Sequence, residues 1–252
     1  MFNIFNLKNN PNVNVLSEEG PFTVIEHKKD QSVTAHEAMQ AYFASQMNIR
    51  KRQLLCNLAV APVTIQPGDM QWMIGDCQTT TGIKGIGDLF GKAVRGKMTG
   101  ESAIKPEYTG TGLLVCEPTE KFILLTNPRE WGGEVVLDDG LFLACDSRVR
   151  HRTVSRTNLS SALAGNEGLF NLCLEGDGMI ALESNVPADE IVEVQLTNDT
   201  LKVDGNFAIA WSNTLNFTVE KSGKSLLGSA VSEEGLVNVY RGTGKVWLSP
   251  VK

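Results

Sequence analysis

The sequence predicts an all-β protein of three similar β-sandwich-like repeats in a pseudo-threefold arrangement, with one N-terminal helix. Three observations carry this expectation. Three glycine pairs recur at even spacing, each flanked by alternating apolar residues. A second glycine-containing mark recurs upstream of each pair. One stretch, near the N-terminus, has helical periodicity and a helix-start signal.

The glycine pairs are Gly110 and Gly112, Gly176 and Gly178, and Gly242 and Gly244, in GESAIKPEYTGTGLLVCEP, NEGLFNLCLEGDGMIALES and EEGLVNVYRGTGKVWLSP. The second glycines, at 112, 178 and 244, are each 66 residues apart. After each pair, Leu114, Ile180 and Val246 share a column, as do Cys116, Leu182 and Leu248. Positions two apart point to the same sheet face. The column between them, Val115, Ala181 and Trp247, is also apolar, so both faces are expected to be covered. The glycines are read as structural turns between hairpin strands, with Gly178 and Gly244 expected at positive φ.

The upstream mark reads PGDMQWMIGD, DDGLFLACDS and VDGNFAIAWS. Each places a glycine turn before an apolar strand. The repeats run over about 53–118, 119–184 and 185–250, in one domain spanning 1–252. Residues 1–52 form a strand and helix extension. Within that extension, TAHEAMQAYFASQMN opens on Thr-x-x-Glu, a capping box. Ala35, Met39, Tyr42, Phe43 and Met47 form an apolar stripe, expected to cover a sheet face or to contact a second subunit.

The formal net charge of −6 gives no general attraction for nucleic acid or anionic membranes. No apolar run reaches a membrane span. The segment MFNIFNLKNNPN has neither a basic leader with an apolar core nor a myristoylation pattern, and a cytoplasmic location is expected. Cys56, Cys77, Cys116, Cys145 and Cys173 are widely spaced without a C-x-x-C, and read as reduced, small apolar residues.

No cofactor, metal site or catalytic constellation is expected. GDLFGK is one residue short of a phosphate loop, and Ala93 follows where a hydroxyl belongs. GIGDLF lacks the last glycine of the dinucleotide pattern, and GKS at 223–225 lacks its upstream glycine. His27, His36 and His151 form no close pair. No G-x-S-x-G occurs.

Two groups of polar residues remain. Arg148, Arg150 and Arg152 fall on one face of a strand, as a solvated edge or as a contact for an anion, RNA or protein, with Arg50, Lys51 and Arg52 as an extension. Glu101, Glu167 and Glu234 recur near the hairpin starts. They bind their own turns or line an inter-repeat site for a cation or small molecule.

PGDMQWM, GIKGIGDLFGKAVRGKMTGES, DDGLFLAC, NEGLFNLCLEGDGMIAL and EEGLVNVYRGTGKVWL occur in one order that resembles the Altered Inheritance of Mitochondria family of mitochondrial-biogenesis proteins, which has many bacterial members. The resemblance covers roughly 50–250. It implies a fold like that of the tryptophan RNA-binding attenuation protein, repeated three times in one chain. It brings no catalytic residue, and the fold alone does not imply RNA or tryptophan binding. A bacterial, non-enzymatic scaffold or assembly protein is expected, with an unknown protein partner and possible homo-oligomerisation. An RNA- or anion-binding module and a small-molecule or metal site between repeats stand as alternatives.

Overall fold

The structure, a computed structural model, describes residues 2–80, 105–155, 170–221 and 236–251. Glu101, Glu167 and Glu234 lie outside the described residues, as do the glycine-rich stretches tested above for nucleotide loops.

The described chain is mostly β, with a barrel-like sheet and a half-barrel. The nine-stranded sheet runs β1 (Val13–Glu19), β2 (Phe22–His27), β3 (Arg52–Asn57), β6 (Glu107–Cys116), β4 (Val63–Ile65), β9 (Phe142–Asp146), β12 (Ile180–Ser184) and β7 (Phe122–Thr126). β5 (Met70–Thr80) pairs with β6. The seven-stranded sheet runs β10 (Val149–Ser155), β11 (Phe170–Gly176), β8 (Glu134–Leu137), β14 (Ala208–Ser212), β16 (Leu236–Leu248) and β13 (Val192–Asp204). β15 (Asn216–Lys221) pairs with β16.

One antiparallel register recurs. β5 against β6 pairs Met73 with Leu114, Trp72 with Val115 and, after a bulge, Met70 with Cys116. β9 against β12 pairs Cys145 with Ile180, Ala144 with Ala181 and, after a bulge, Phe142 with Leu182. β14 against β16 pairs Trp211 with Val246, Ala210 with Trp247 and, after a bulge, Ala208 with Leu248. Short strands bridge these groups. β4 sets Val63, Thr64 and Ile65 against Asp146, Cys145 and Ala144, and its other edge meets β6. β8 sets Val135, Val136 and Leu137 against Ser212, Trp211 and Ala210, and its other edge meets β11.

The expected columns are buried on both faces, except that Trp247 and Leu248 are partly buried. Leu114, Ile180 and Val246 are inaccessible, and so are Val115 and Ala181. One core joins Leu54, Val63, Leu114 and Cys116 to Ile123, Leu143 and Ala181. A second joins Leu137, Leu174, Ile180 and Leu182 to Ala210 and Trp247. Four of the cysteines, all but Cys77, are buried as small apolar residues, and all five thiols are free.

The glycine pairs depart from the expected hairpin turns. Gly110 and Gly112 lie inside β6, and Gly242 and Gly244 inside β16. Only at Gly176 and Gly178 is the strand interrupted. Positive φ belongs to the first glycine of each pair, at 118° for Gly110, 129° for Gly176 and 120° for Gly242. Gly178 and Gly244 are not at positive φ, which corrects the expectation. A Cβ on Gly110, Gly112 or Gly176 would run into the facing backbone, and on Gly178 or Gly244 into a side chain.

The helix α1 (Ala35–Gln46) starts as predicted, with Thr34 and Glu37 closing the capping box. It buries no residue, so the expectation that it covers a sheet face is corrected. Its end is anchored instead. Asn48, at φ 61°, offers its backbone and side-chain oxygens to Arg52 Nη2 at 2.9 and 3.1 Å.

Candidate functional site

Two surfaces are candidates. The first is built around β10, the edge strand of the seven-stranded sheet. β10 pairs antiparallel with β11, which sets Arg150 opposite Glu175. Arg148 and Arg150 line an open depression of about 550 Å³ together with Gly133, Glu134, Glu175 and Gly176. Arg152 reaches the same carboxylates, with Nη2 at 2.7 Å from Glu134 and Nε at 3.3 Å from Glu175.

Asp146 organises the other side. Its carboxylate is fully buried and accepts from Arg148 Nη2 at 2.7 Å. It also accepts the backbone N–H groups of Arg148 and Met179, each at 2.9 Å. Hydrogen bonding to Asp146 holds the Arg148 guanidinium above its usual range, with attraction to the same carboxylate adding to it. Among the described residues Arg150 makes no ion pair. Arg148 and Arg152 thus meet three carboxylates, Asp146, Glu134 and Glu175, and the strand does not present a simple basic patch.

The proposed extension through Arg50, Lys51 and Arg52 is corrected by burial and pairing. Arg52 is 1% exposed, with Nη2 at 2.7 Å from Glu26 and its guanidinium 4.1 Å from the centre of the Phe122 ring. Arg50 also pairs with Glu26, and Lys51 pairs with Glu120. These contacts use the charges to hold the chain together around β3.

The second surface is the face of α1. Met39 is 58% exposed, Tyr42 and Phe43 63% each, and Met47 75%. Tyr42 and Phe43 touch edge to face at 5.5 Å, so the aromatic rings form one patch. The stripe was visible in the sequence. Its exposure was not, because helical periodicity identifies an apolar face without naming what covers it.

A third cluster was not anticipated. Asp69 lies in the turn before β5, beside Glu183, Glu117, Lys105 and Lys121. Partial burial, reinforced by Glu183, pushes its carboxyl up to about 6. Buried Lys105 donates to Gln66 at 2.8 Å, and Lys121 donates to Glu183 at 2.8 Å. These residues are scattered through the sequence, and only pairing of the strands brings them together. Among the described residues no group of His, Cys, Asp and Glu has the arrangement of a metal site.

The fold and these surfaces define a mostly β protein with an exposed apolar helix face and a charged depression beside β10. The chain belongs to the mitochondrial biogenesis AIM24 family, whose model matches residues 43–251. It is 28% identical over 194 residues to an uncharacterised protein of Streptococcus pyogenes serotype M6, covering 74% of this chain and 75% of that one. It is also similar to the X-ray crystal structure of a Streptococcus pyogenes protein, with a TM-score of 0.58 and 25% identity over 81% of this chain and 89% of the other. The family match leaves out β1, β2 and most of α1. No helix among the described residues is long and apolar enough to cross a membrane.

Proposed function

We propose that the protein is a non-enzymatic scaffold or assembly factor, in the bacterial cytoplasm, that acts by protein contact through the apolar face of α1. The observation that carries this reading is the exposure of Met39, Tyr42, Phe43 and Met47 on a capped, anchored helix. A contiguous apolar patch held on ordered backbone marks a contact surface. The body of the molecule is read as three repeats over about 53–118, 119–184 and 185–250, in a single domain. The arrangement is pseudo-threefold and like that of the tryptophan RNA-binding attenuation protein. The shared register and shared bulge of the three strand pairs support the repeats. Residues 1–52 are the extension that carries the contact helix.

A photo-crosslinking amino acid at Tyr42 tests this reading in cells. The expected result is a discrete protein adduct that a Met39→Ser, Phe43→Ser background removes. Absence of any adduct at Tyr42, with the protein folded and abundant, overturns it.

A second reading rests on the depression between Arg148 and Arg150. Its balance of charges favours a small ligand carrying both signs over a polyanion. Single-stranded RNA at low salt should therefore leave the protein unshifted. Salt-dependent binding removed by Arg148→Ala, Arg150→Ala and Arg152→Ala together would instead establish a nucleic-acid module.

A further inference from the structure

Two of the three repeated strand pairs have their outer edge covered by a bridging strand, and one does not. β4 covers β9, and β8 covers β14, through three residue pairs each. Among the described residues β5, which holds the corresponding position, pairs only with β6. At the end of the seven-stranded sheet, Leu201, Lys202 and Val203 of β13 pair with Tyr240, Val239 and Asn238 of β16. That is the relationship Val135, Val136 and Leu137 of β8 have to Leu174, Cys173 and Leu172 of β11. β8 uses its second edge to hold β14, whereas β13 pairs only with β16 among the described residues.

We infer that the outer edge of β13 around Lys202 takes the outer edge of β5 around Met73 from a second copy of this chain, in the register by which β8 takes β14. This rests on the repeat reading above and names one partner for the contact function. In that register Lys202 lies opposite Met73, Leu201 opposite Ile74 and Val203 opposite Trp72. The backbone polarity fits. Glu134 accepts from Asn213 and Asp138 donates to Ile209, so Val136 between them turns its own N–H and C=O toward β14. Lys202 holds the place of Val136, and its backbone groups therefore face outward, leaving the β16 ladder intact.

The apolar cores point to the same pairing. The two cores described above each draw on two successive repeats. Of the remaining two, one joins Val136 and Cys173 to Leu196, Val203, Tyr240 and Val246, with Leu201 packed against it. The other holds Leu55 and Val115, with Trp72 packed against it and the N-terminal residues Leu7, Val13 and Ile25 along one side. Joining β13 to β5 sets Leu201 and Val203 of one copy beside Ile74 and Trp72 of the next, as β8 sets Leu137 beside Ala210. Met73 is 40% exposed and gains cover. Strand addition of this kind draws on main-chain hydrogen bonds, and unpaired edges are the surfaces that make it available. The contact is head to tail, because the two edges differ.

Mixing two full-length variants tests it, each in a Cys77→Ser background, one carrying Lys202→Cys and the other Met73→Cys. The expected product is a disulfide-linked heterodimer whose peptide map joins positions 202 and 73. Lys202→Pro should shift the sedimenting species to monomer with an unchanged melting temperature. A sedimenting monomer with no mixed disulfide overturns the inference. So does a Lys202→Cys, Met73→Cys double variant that closes only within one chain. An oligomer that ignores Lys202→Pro and yields no 202–73 link also overturns it, while leaving the α1 contact surface standing.

Discussion

The carboxylate of Asp146 stands where a side chain on Gly178 would have to be. A Cβ on Gly178 would lie 2.6 Å from Asp146 Cγ and closer still to Oδ1. Asp146 cannot retreat, because it holds the N–H groups of Arg148 and Met179 from a fully buried position. Gly244 meets the side chain of Ser212 in the same way, at 2.8 Å from its Cβ. The Ser212 hydroxyl accepts from Lys245 N at 3.0 Å, as Asp146 accepts from Met179. Gly178 and Gly244 therefore clear space for the side chain that receives the next backbone N–H, whereas Gly112 faces the backbone oxygen of Ile74.

Gly178→Ala should lower stability by about 2–4 kcal/mol, since it displaces a buried charge from its donors. Gly244→Ala should cost less, about 1–2 kcal/mol, because a neutral hydroxyl gives way more easily. Urea unfolding of both variants checks the order. Equal losses would contradict this account of the two sites.

Arg52 and Glu26 form a buried ion pair at 2.7 Å, with the guanidinium also bonded to Asn48. Arg52→Ala leaves Glu26 with only the more distant Arg50, at 3.5 Å. A loss of about 3–5 kcal/mol is expected. Replacing both charges, as Arg52→Met with Glu26→Gln, should recover a large part of it. Thermal unfolding of the single and double variants gives the comparison.

Asp69 makes stability depend on pH. Its folded value of about 6 lies above its ordinary value of 3.8. The folded state therefore holds a proton that the unfolded state releases between these values. The protonated form favours folding below about 3.8, and that contribution fades as pH rises to about 6. Asp69 is only half buried, so solvent reduces the effect to on the order of 1 kcal/mol. Urea unfolding at several pH values should show this fall in the native protein and lose it in Asp69→Asn.

The Thr34 cap acts on α1 alone. Thr34→Ala removes the capping box, worth about 1 kcal/mol to a helix. Because α1 buries no residue, the helix should fray while the melting temperature of the β body stays constant. Amide exchange over 35–46 reads the first effect and calorimetry the second.

Spacing made the repeated glycines and their apolar columns legible, because strand alternation fixes which residues share a face. The capping box was legible for the same reason of local geometry. That Gly178 and Gly244 clear space for a side chain was not, since that depends on Asp146 and Ser212, over thirty residues upstream of them. The arginines of β10 looked like a charge patch because Glu134 and Glu175 reach them only through the β8–β11–β10 pairing. The Asp69 cluster carries no local pattern at all.

Native mass spectrometry of gently purified protein tests the contact reading most directly. The account predicts masses that are whole sums of polypeptide chains, as multiples of this one or with a protein partner. A reproducible small added mass, lost on denaturation, would contradict it and mark a ligand-binding or catalytic protein instead.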